Sequence, residues 1–279
     1  MVIFILLAAV FVVVELRSVE PIIPMRLFRN AVFSIGNLFG FLSGVAMFSG
    51  IIFLPLYFQG VMGMSPTRSG LALVPAVVGI LVASTLSGAL ITRTGRYKIF
   101  PIIGSVILIV ALFLLSRLGV ATPYWQIAID ALLFGGGLGC TFQTITTAVQ
   151  NAVAYRDMGA ATSSTTFFRT MGSAIGTAVF GAVFSGRLTH HIAEQLTGAP
   201  ASGAPVNANN IQAIQRLSEP IKHLVLTAFA RSLDDVFLAC VPLIIVALIV
   251  SLFLKEVPLR TGAGDPAAGR REDSVLPVG

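Results

Sequence analysis

Residues 31–58 read AVFSIGNLFGFLSGVAMFSGIIFLPLYF, a stretch of 28 residues without a charged side chain. As an α-helix, a stretch of this length extends about 42 Å, whereas the hydrocarbon core of a membrane is about 30 Å thick. These residues therefore predict a transmembrane helix. Five further apolar blocks predict spans two to six, at Gly70–Ile91, Phe100–Ser116, Tyr124–Gln150, Ala160–Phe184 and Leu233–Leu254.

The composition of the whole chain agrees with this interpretation. Of its 279 residues, 56% are hydrophobic and 11% are charged, and the mean hydropathy is +0.91. A soluble domain carries about 25% charged residues, so the composition excludes a soluble enzyme and a disordered protein. The net charge of +6 comes from Lys and Arg in the segments between apolar blocks. With no basic run, it does not indicate binding to nucleic acid. The predicted class is an all-α membrane protein embedded in a lipid bilayer.

The segments around the six spans predict the rest of the organisation. Residues 1–14 are apolar, but 14 helical residues rise only about 21 Å. We therefore expect them to be the end of a transmembrane helix whose beginning is missing. Residues 15–30 form the loop that leads into the bundle of residues 31–260. Gly and Pro in the polar residues 261–279 predict a disordered tail.

The distribution of Lys and Arg predicts the orientation. If residues 15–30 are cytoplasmic, the inner segments hold eleven Lys and Arg side chains and the outer segments hold six. Cytoplasmic loops carry an excess of these residues. The pattern therefore favours a multi-pass plasma membrane protein with a cytoplasmic C-terminus and an outer loop at 187–231.

Polar side chains distinguish spans one, four and five from spans three and six, which are almost entirely apolar. Polar groups at membrane depth must contact protein or water, so the three polar spans are expected to line a common interior. Candidate cavity residues are Asn37, Phe41, Gln143, Thr147, Gln150, Phe167 and Arg169. Arg169 either contacts a substrate or gating partner, or bonds to backbone carbonyls in a structural role. Asp130 either carries a proton or contacts water near the outer leaflet.

Small residues recur at the spacing of helix contacts. Gly36, Gly40 and Gly44 on span one, and Gly172 and Gly176 on span five, are four residues apart, which is typical of close helix packing in membranes. An intramembrane enzyme is not favoured, since no histidine lies in a span and Asp130 is the single candidate acid. We expect no catalytic residue, no metal and no cofactor.

The loop between spans two and three carries a recognisable motif. Residues 88–98 read GALITRTGRYK, which resembles the inner-loop signature G-x-L-x-D-R-x-G-R-x-K of the major facilitator superfamily. Thr92 occupies the acidic position. In the family this loop packs helix ends and helps to hold the outward-facing state through charge contacts. The matching residues are Gly88, Leu90, Arg93, Gly95, Arg96 and Lys98.

Other segments are similar to fourteen-span drug:proton antiporters of the EmrB/QacA type. They are residues 20–30 (EPIIPMRLFRN), 54–59 (LPLYFQ), 63–66 (GMSP), 69–71 (SGL) and 168–178 (FRTMGSAIGTA). This resemblance implies that residues 1–14 end a linker helix and that the six spans form a C-terminal six-helix bundle. It also implies that spans one, two, four and five line the cavity.

The resemblance implies that the chain carries out its function together with a second half of the same carrier. Such a carrier has two six-helix halves around a midplane site, and its proton-coupling residues lie mainly in the N-terminal half. The expected function is one wall of the cavity of a proton-coupled efflux transporter for small lipophilic substrates. The chain would be inactive alone, and its partner would be a missing N-terminal half or another membrane subunit. The alternative is a non-transporting helix bundle that associates with other membrane proteins.

Overall fold

The computed structural model describes residues 25–196 and 219–258, and the described residues form helices without a strand. A 3-10 helix at Met25–Arg29 precedes the first long helix, and another at Tyr155–Asp157 lies between the fifth and sixth. The α-helices are α1 (Ala31–Gly60), α2 (Pro66–Leu71), α3 (Val74–Thr94), α4 (Ile99–Leu115), α5 (Tyr124–Ala152), α6 (Met158–Leu196) and α7 (Glu219–Leu252). The all-α prediction is confirmed.

Each of the six predicted spans coincides with a helix. Five helical stretches of the described chain are long and apolar enough to cross a membrane. The sixth, α4, has 17 residues, which is at the lower limit for a spanning helix. The predicted helix at 1–14 and tail at 261–279 lie outside the described residues, as does most of the predicted loop at 15–30.

The predicted outer loop at 187–231 is partly helical. Helix α6 continues past Phe184 to Leu196, and α7 begins at Glu219, ahead of the predicted start of span six at Leu233. Beyond Gly186, residues 187–196 contain neither Gly nor Pro, and nothing in this segment interrupts the backbone hydrogen bonds of a helix. The fall in hydropathy after Phe184 therefore does not mark the end of α6, which is at Leu196.

The bundle is built around α1 and α5. Helix α1 packs against α5, α6 and α7, whereas α5 packs against α3 on one side and α4 on the other; α4 also contacts α7. The most buried side chains lie among α1, α4, α5 and α7. Helix α3 packs mainly on α5, and a row of exposed apolar side chains covers its other side: Val74, Val77, Val78, Leu81, Val82, Leu86 and Leu90.

Asn30 connects the beginning of α1 to the end of α5. Its side-chain oxygen accepts hydrogen bonds from the backbone N–H groups of Val32 and Phe33, which caps α1. Its amide nitrogen donates to the carbonyl oxygen of Ala152 at 2.7 Å. Nearby, Arg26 forms an ion pair with Asp157, whose side chain is largely buried. The segment before α1 is thus attached to the connection between α5 and α6.

Glycines allow several helix backbones to come into direct contact. A Cβ atom at Gly44 of α1 would overlap the carbonyl oxygen of Arg169 of α6, and one at Gly172 would overlap that of Phe41. Gly176 lies beside Val45 in the same contact, and Gly40 faces Thr165 at ordinary distance. Gly36 instead faces α5, where a Cβ would overlap the side chain of Val149.

Candidate substrate-binding surface

Helices α5 and α6 carry polar side chains that are exposed or half-buried in the described bundle. Five of them, which we call the α5–α6 polar surface, are Gln143, Thr147, Thr166, Arg169 and Thr170. Gln143, Thr166 and Thr170 are exposed, whereas Thr147 and Arg169 are half-buried. Exposed polar groups at membrane depth require water or protein partners, so this surface is unsuited to lipid.

The threonines of this surface bond to their own helices. The hydroxyls of Thr147, Thr166 and Thr170 donate to the carbonyl oxygens of residues 143, 162 and 166, at 2.8–3.1 Å. Such bonds satisfy the donor of each hydroxyl and leave its oxygen able to accept. The threonines therefore offer acceptors to water or a ligand, and Gln143 adds an amide that both donates and accepts.

Arg169 supplies the positive charge of the surface. Its guanidinium carbon lies 4.8 Å from the centre of the Phe142 ring on α5, a cation–π contact. No carboxylate forms an ion pair with it within residues 25–196 and 219–258. A guanidinium held on an aromatic face keeps donors for carbonyl or anionic groups of a ligand. Arg169 is thus held on an aromatic ring of the neighbouring helix, and its role as a substrate contact stays a prediction.

Gln150 lies at one end of this surface. Its amide nitrogen donates to the Thr162 hydroxyl at 3.0 Å, which connects α5 to α6. On the other side, a Cβ at Gly88 of α3 would come within 3.7 Å of the Gln143 side chain. The polar surface therefore extends from α6 across α5 to the edge of α3.

The remaining cavity candidates occupy different surroundings. Phe167 is 48% exposed, and Phe41 is partly buried against the core. Asn37 is only 2% exposed, and its amide nitrogen donates to the Phe33 carbonyl of its own helix at 2.9 Å. Asn37 therefore lies behind the surface in this conformation and is not grouped with the α5–α6 residues.

Asp130, the predicted proton carrier, lies near the start of α5 and is 3% exposed. Its Oδ2 atom is buried and has no hydrogen-bond partner among the described residues. An unpaired buried carboxylate oxygen is costly when charged, so this site is suited to a carboxyl group that holds its proton. Asp130 is not part of the α5–α6 polar surface.

The signature loop closes α3 with a left-handed glycine. Gly95 has φ +71° and terminates the helix, because its N–H bonds to the Ile91 carbonyl oxygen. Arg93 and Arg96 are exposed and line an open cavity of about 610 Å³ together with Glu256. Gly88, Leu90 and Lys98 lie on the same segment, with Leu90 exposed and Lys98 half-buried.

Tyr97 attaches this loop to the segment after α7. The side chain is fully buried, and its hydroxyl donates to the Lys255 carbonyl at 2.7 Å and accepts from the Val257 N–H at 2.9 Å. Burial raises the pKa of Tyr97, so the hydroxyl keeps its proton as a donor. No role was predicted for Tyr97 from the sequence; an aromatic residue between Arg96 and Lys98 was the available signal.

Replacing Tyr97 with Phe is expected to loosen this attachment without unfolding the bundle. The half-buried Val257 N–H loses its acceptor, and a hydrogen bond of this kind contributes about 0.5–1.5 kcal/mol. Hydrogen exchange should become faster in residues 94–98 and 253–258 and remain unchanged in α5. Tyr155→Phe is the matched control, because that side chain is 85% exposed. Unchanged exchange in both segments would show that the hydroxyl is dispensable.

Comparison with known proteins agrees with this architecture. Residues 1–177 match the family model for the Major Facilitator Superfamily. A 251-residue stretch is 40% identical to an uncharacterized MFS-type transporter of Mycobacterium tuberculosis, covering 89% of this chain and 36% of that protein. Identity to the multidrug transporter protein MdtP of Bacillus subtilis is 29%, covering 89% of this chain and 50% of MdtP. The chain therefore spans about a third to a half of these relatives.

A further relative and a solved structure are also similar to this chain. A tetracycline resistance determinant of Streptomyces rimosus is 28% identical, over 92% of this chain and 84% of that protein. The crystal structure of a bacterial homolog of the human lysosomal transporter Spinster, inward-facing and occupied, matches with a TM-score of 0.59. At 19% identity, over 84% of this chain and 51% of that one, this match supports the fold alone. The chain is a multi-pass, all-helical membrane protein that belongs to the Major Facilitator Superfamily.

Proposed function

We propose that the chain is the C-terminal half of a proton-coupled efflux transporter for small lipophilic compounds. In this proposal the α5–α6 polar surface is one wall of the substrate cavity. The observation that carries it is the exposure of Gln143, Thr166 and Thr170 beside Arg169, on helices otherwise apolar enough to cross a membrane. Lipid does not satisfy such groups, whereas a water-filled cavity does.

The second wall comes from a complementary half, on the same polypeptide or a separate subunit. Major facilitator carriers place their site between two halves that rock about the midplane. Residues 25–196 and 219–258 supply the α5–α6 polar surface as one wall, so we expect the chain alone to bind substrate poorly and to transport nothing. The relatives named as multidrug and tetracycline resistance proteins support efflux as the activity of the complete assembly.

Proton coupling and topology are further parts of the proposal. Asp130 is our candidate for a proton carrier within this half, supported by its buried, unpartnered oxygen; the other coupling residues would lie in the complementary half. The excess of Lys and Arg on one side supports a plasma membrane location with a cytoplasmic C-terminus. The alternative of a non-transporting bundle is not favoured, since several relatives are named as transporters.

Cysteine labelling tests whether the α5–α6 polar surface faces water. Cys140 and Cys240 are first replaced by Ala, and Thr170→Cys is compared with Val246→Cys on the exposed side of α7. Both are assayed in membranes that also contain the N-terminal half of the Mycobacterium tuberculosis relative. A water-soluble maleimide should label Thr170→Cys at least about tenfold faster, since the reactive thiolate forms in water. A lipophilic dye substrate should slow this labelling.

Two outcomes would contradict the proposal. Equal labelling of the two positions would mean that the polar surface is not more accessible to water than the outside of α7. If Thr170→Cys is labelled fast but no tested dye slows the labelling, the polar surface faces water and does not bind substrate. Because the exposed Thr170 side chain contacts no other helix through a hydrogen bond, the substitution is not expected to disturb packing.

A further inference from the structure

A cluster of potential metal ligands lies near the C-terminal end of α6, at the opposite end of the bundle from the signature loop. It consists of His190, His191 and Glu194. One ligand atom from each residue lies within 4.8 Å of the others. Glu194 follows His190 by four residues and His191 by three, so on the helix its side chain neighbours both rings.

The hydrogen bond of His191 defines which ring nitrogen is available. Its Nε2 lies 3.0 Å from Oδ2 of Asp235 on α7. A carboxylate accepts hydrogen bonds, so Nε2 carries the hydrogen and, in the neutral ring, Nδ1 keeps a lone pair. Nδ1 is buried, makes no hydrogen bond among the described residues, and lies 3.6 Å from Oε2 of Glu194. Two acceptors therefore face each other across a short gap.

A cation bound between these two acceptor atoms would replace the repulsion between them with attraction to both. His190 is exposed, and its ring lies edge-on to that of His191 with centroids 5.7 Å apart, so rotation about its own side-chain bonds can add a third ligand. Two imidazoles and a carboxylate suit Zn²⁺ and its transition-metal neighbours, whereas Ca²⁺ and Mg²⁺ prefer oxygen ligands. Three protein ligands leave a further position for water or another group.

Asp235 has the role of a positioning residue. Metal-binding histidines commonly donate their second ring N–H to a carboxylate, which orients the ring and raises its basicity. Asp235 also lies 3.5 Å from Nε of Arg187, and this pairing keeps its carboxylate in place. Ligands on α6 and an orienting carboxylate on α7 would make the contact between these two helices dependent on the bound ion.

We propose that His190, His191 and Glu194 bind one divalent transition-metal ion, with Asp235 holding His191 in the binding tautomer. No metal was predicted from the sequence, although the three ligands lie within five residues of one another; the contact of His191 with Asp235, 44 residues away, comes from the packing of α7 against α6. This proposal does not depend on substrate transport. It concerns the ends of α6 and α7, away from the α5–α6 polar surface.

Metal titration of the full chain tests the proposal directly. The protein is purified in detergent without a polyhistidine tag and titrated with Zn²⁺ by calorimetry and with Co²⁺ by visible absorption. We expect one ion per chain and a Co²⁺ spectrum with nitrogen ligation. His190→Ala should abolish this binding, and Asp235→Asn should weaken it about 10–100-fold. His223→Ala is the matched control, because His223 is the one other histidine of the chain.

The variants distinguish the metal site from a purely structural contact. His190 is exposed, so its replacement should leave helicity and thermal unfolding of the metal-free protein unchanged, even if His191→Ala impairs folding. Absence of saturable Zn²⁺ and Co²⁺ binding would overturn the proposal. Binding that survives His190→Ala, or that is lost equally in His223→Ala, would also overturn it.

Discussion

Replacing Gly135 with Ala is expected to destabilise the bundle strongly, whereas the same substitution at Gly136 is expected to be neutral or stabilising. A Cβ at Gly135 would overlap the Ala76 carbonyl oxygen of α3, while a Cβ at Gly136 would meet no atom within 4 Å. Overpacking costs about 1–3 kcal/mol and more when the obstructing atom is backbone. At Gly136, Ala gains about 0.5–1 kcal/mol of helix stability.

Unfolding of the purified chain in mixed detergent measures this difference. The midpoint for Gly135→Ala should move to clearly milder conditions than that of the unmodified protein, and the midpoint for Gly136→Ala should not. The two substitutions are adjacent on α5 and chemically identical, so they share effects on helix propensity and on detergent binding. Equal midpoints would mean that α3 does not lie in backbone contact with α5.

Replacing Arg169 with Gln is expected to reduce efflux by the assembled transporter about tenfold or more. A hydrogen bond from a charged group to the substrate is worth about 1.5–3 kcal/mol, and about 1.4 kcal/mol corresponds to a factor of ten. Arg169→Lys keeps the charge without the planar set of donors, so we expect intermediate activity. The measurement is initial dye efflux from proteoliposomes containing the chain and the N-terminal half used for labelling.

Controls distinguish a substrate contact from a structural role of Arg169. Phe142→Leu removes the ring beneath the guanidinium and leaves its charge. If that variant loses as much activity as Arg169→Gln, the arginine acts through packing on α5 and not through substrate. Proteoliposomes that contain the chain alone should show no efflux, and robust efflux from them would contradict the proposed division into two walls.

Much of the fold was predictable because bilayer thickness constrains helix length. The six apolar blocks correspond to helices, and the polar content of spans four and five corresponds to the exposed polar surface on α5 and α6. The end of α6 was not predictable from the same signal. Residues 187–196 are more polar than the preceding span but remain helical, so hydropathy does not mark the end of this helix.

The sequence indicated which residue types would form the candidate site, but not which way each side chain points. Asn37 is polar and lies in a span, as Gln143 does, but its amide bonds to its own helix and is buried. Counting polar side chains does not show which of them bond within their helix. The pairs Arg169–Phe142 and His191–Asp235 depend on how separate helices pack, and no spacing along one chain encodes that distance.

The double role of Asn30 has a mechanical consequence. One side chain terminates both α1 and α5, because its oxygen caps the first helix and its nitrogen satisfies the last turn of the other. A lengthwise displacement of one helix relative to the other would break the bond to Ala152 or the cap of α1. During a rocking motion we therefore expect the beginning of α1 and the end of α5 to move together.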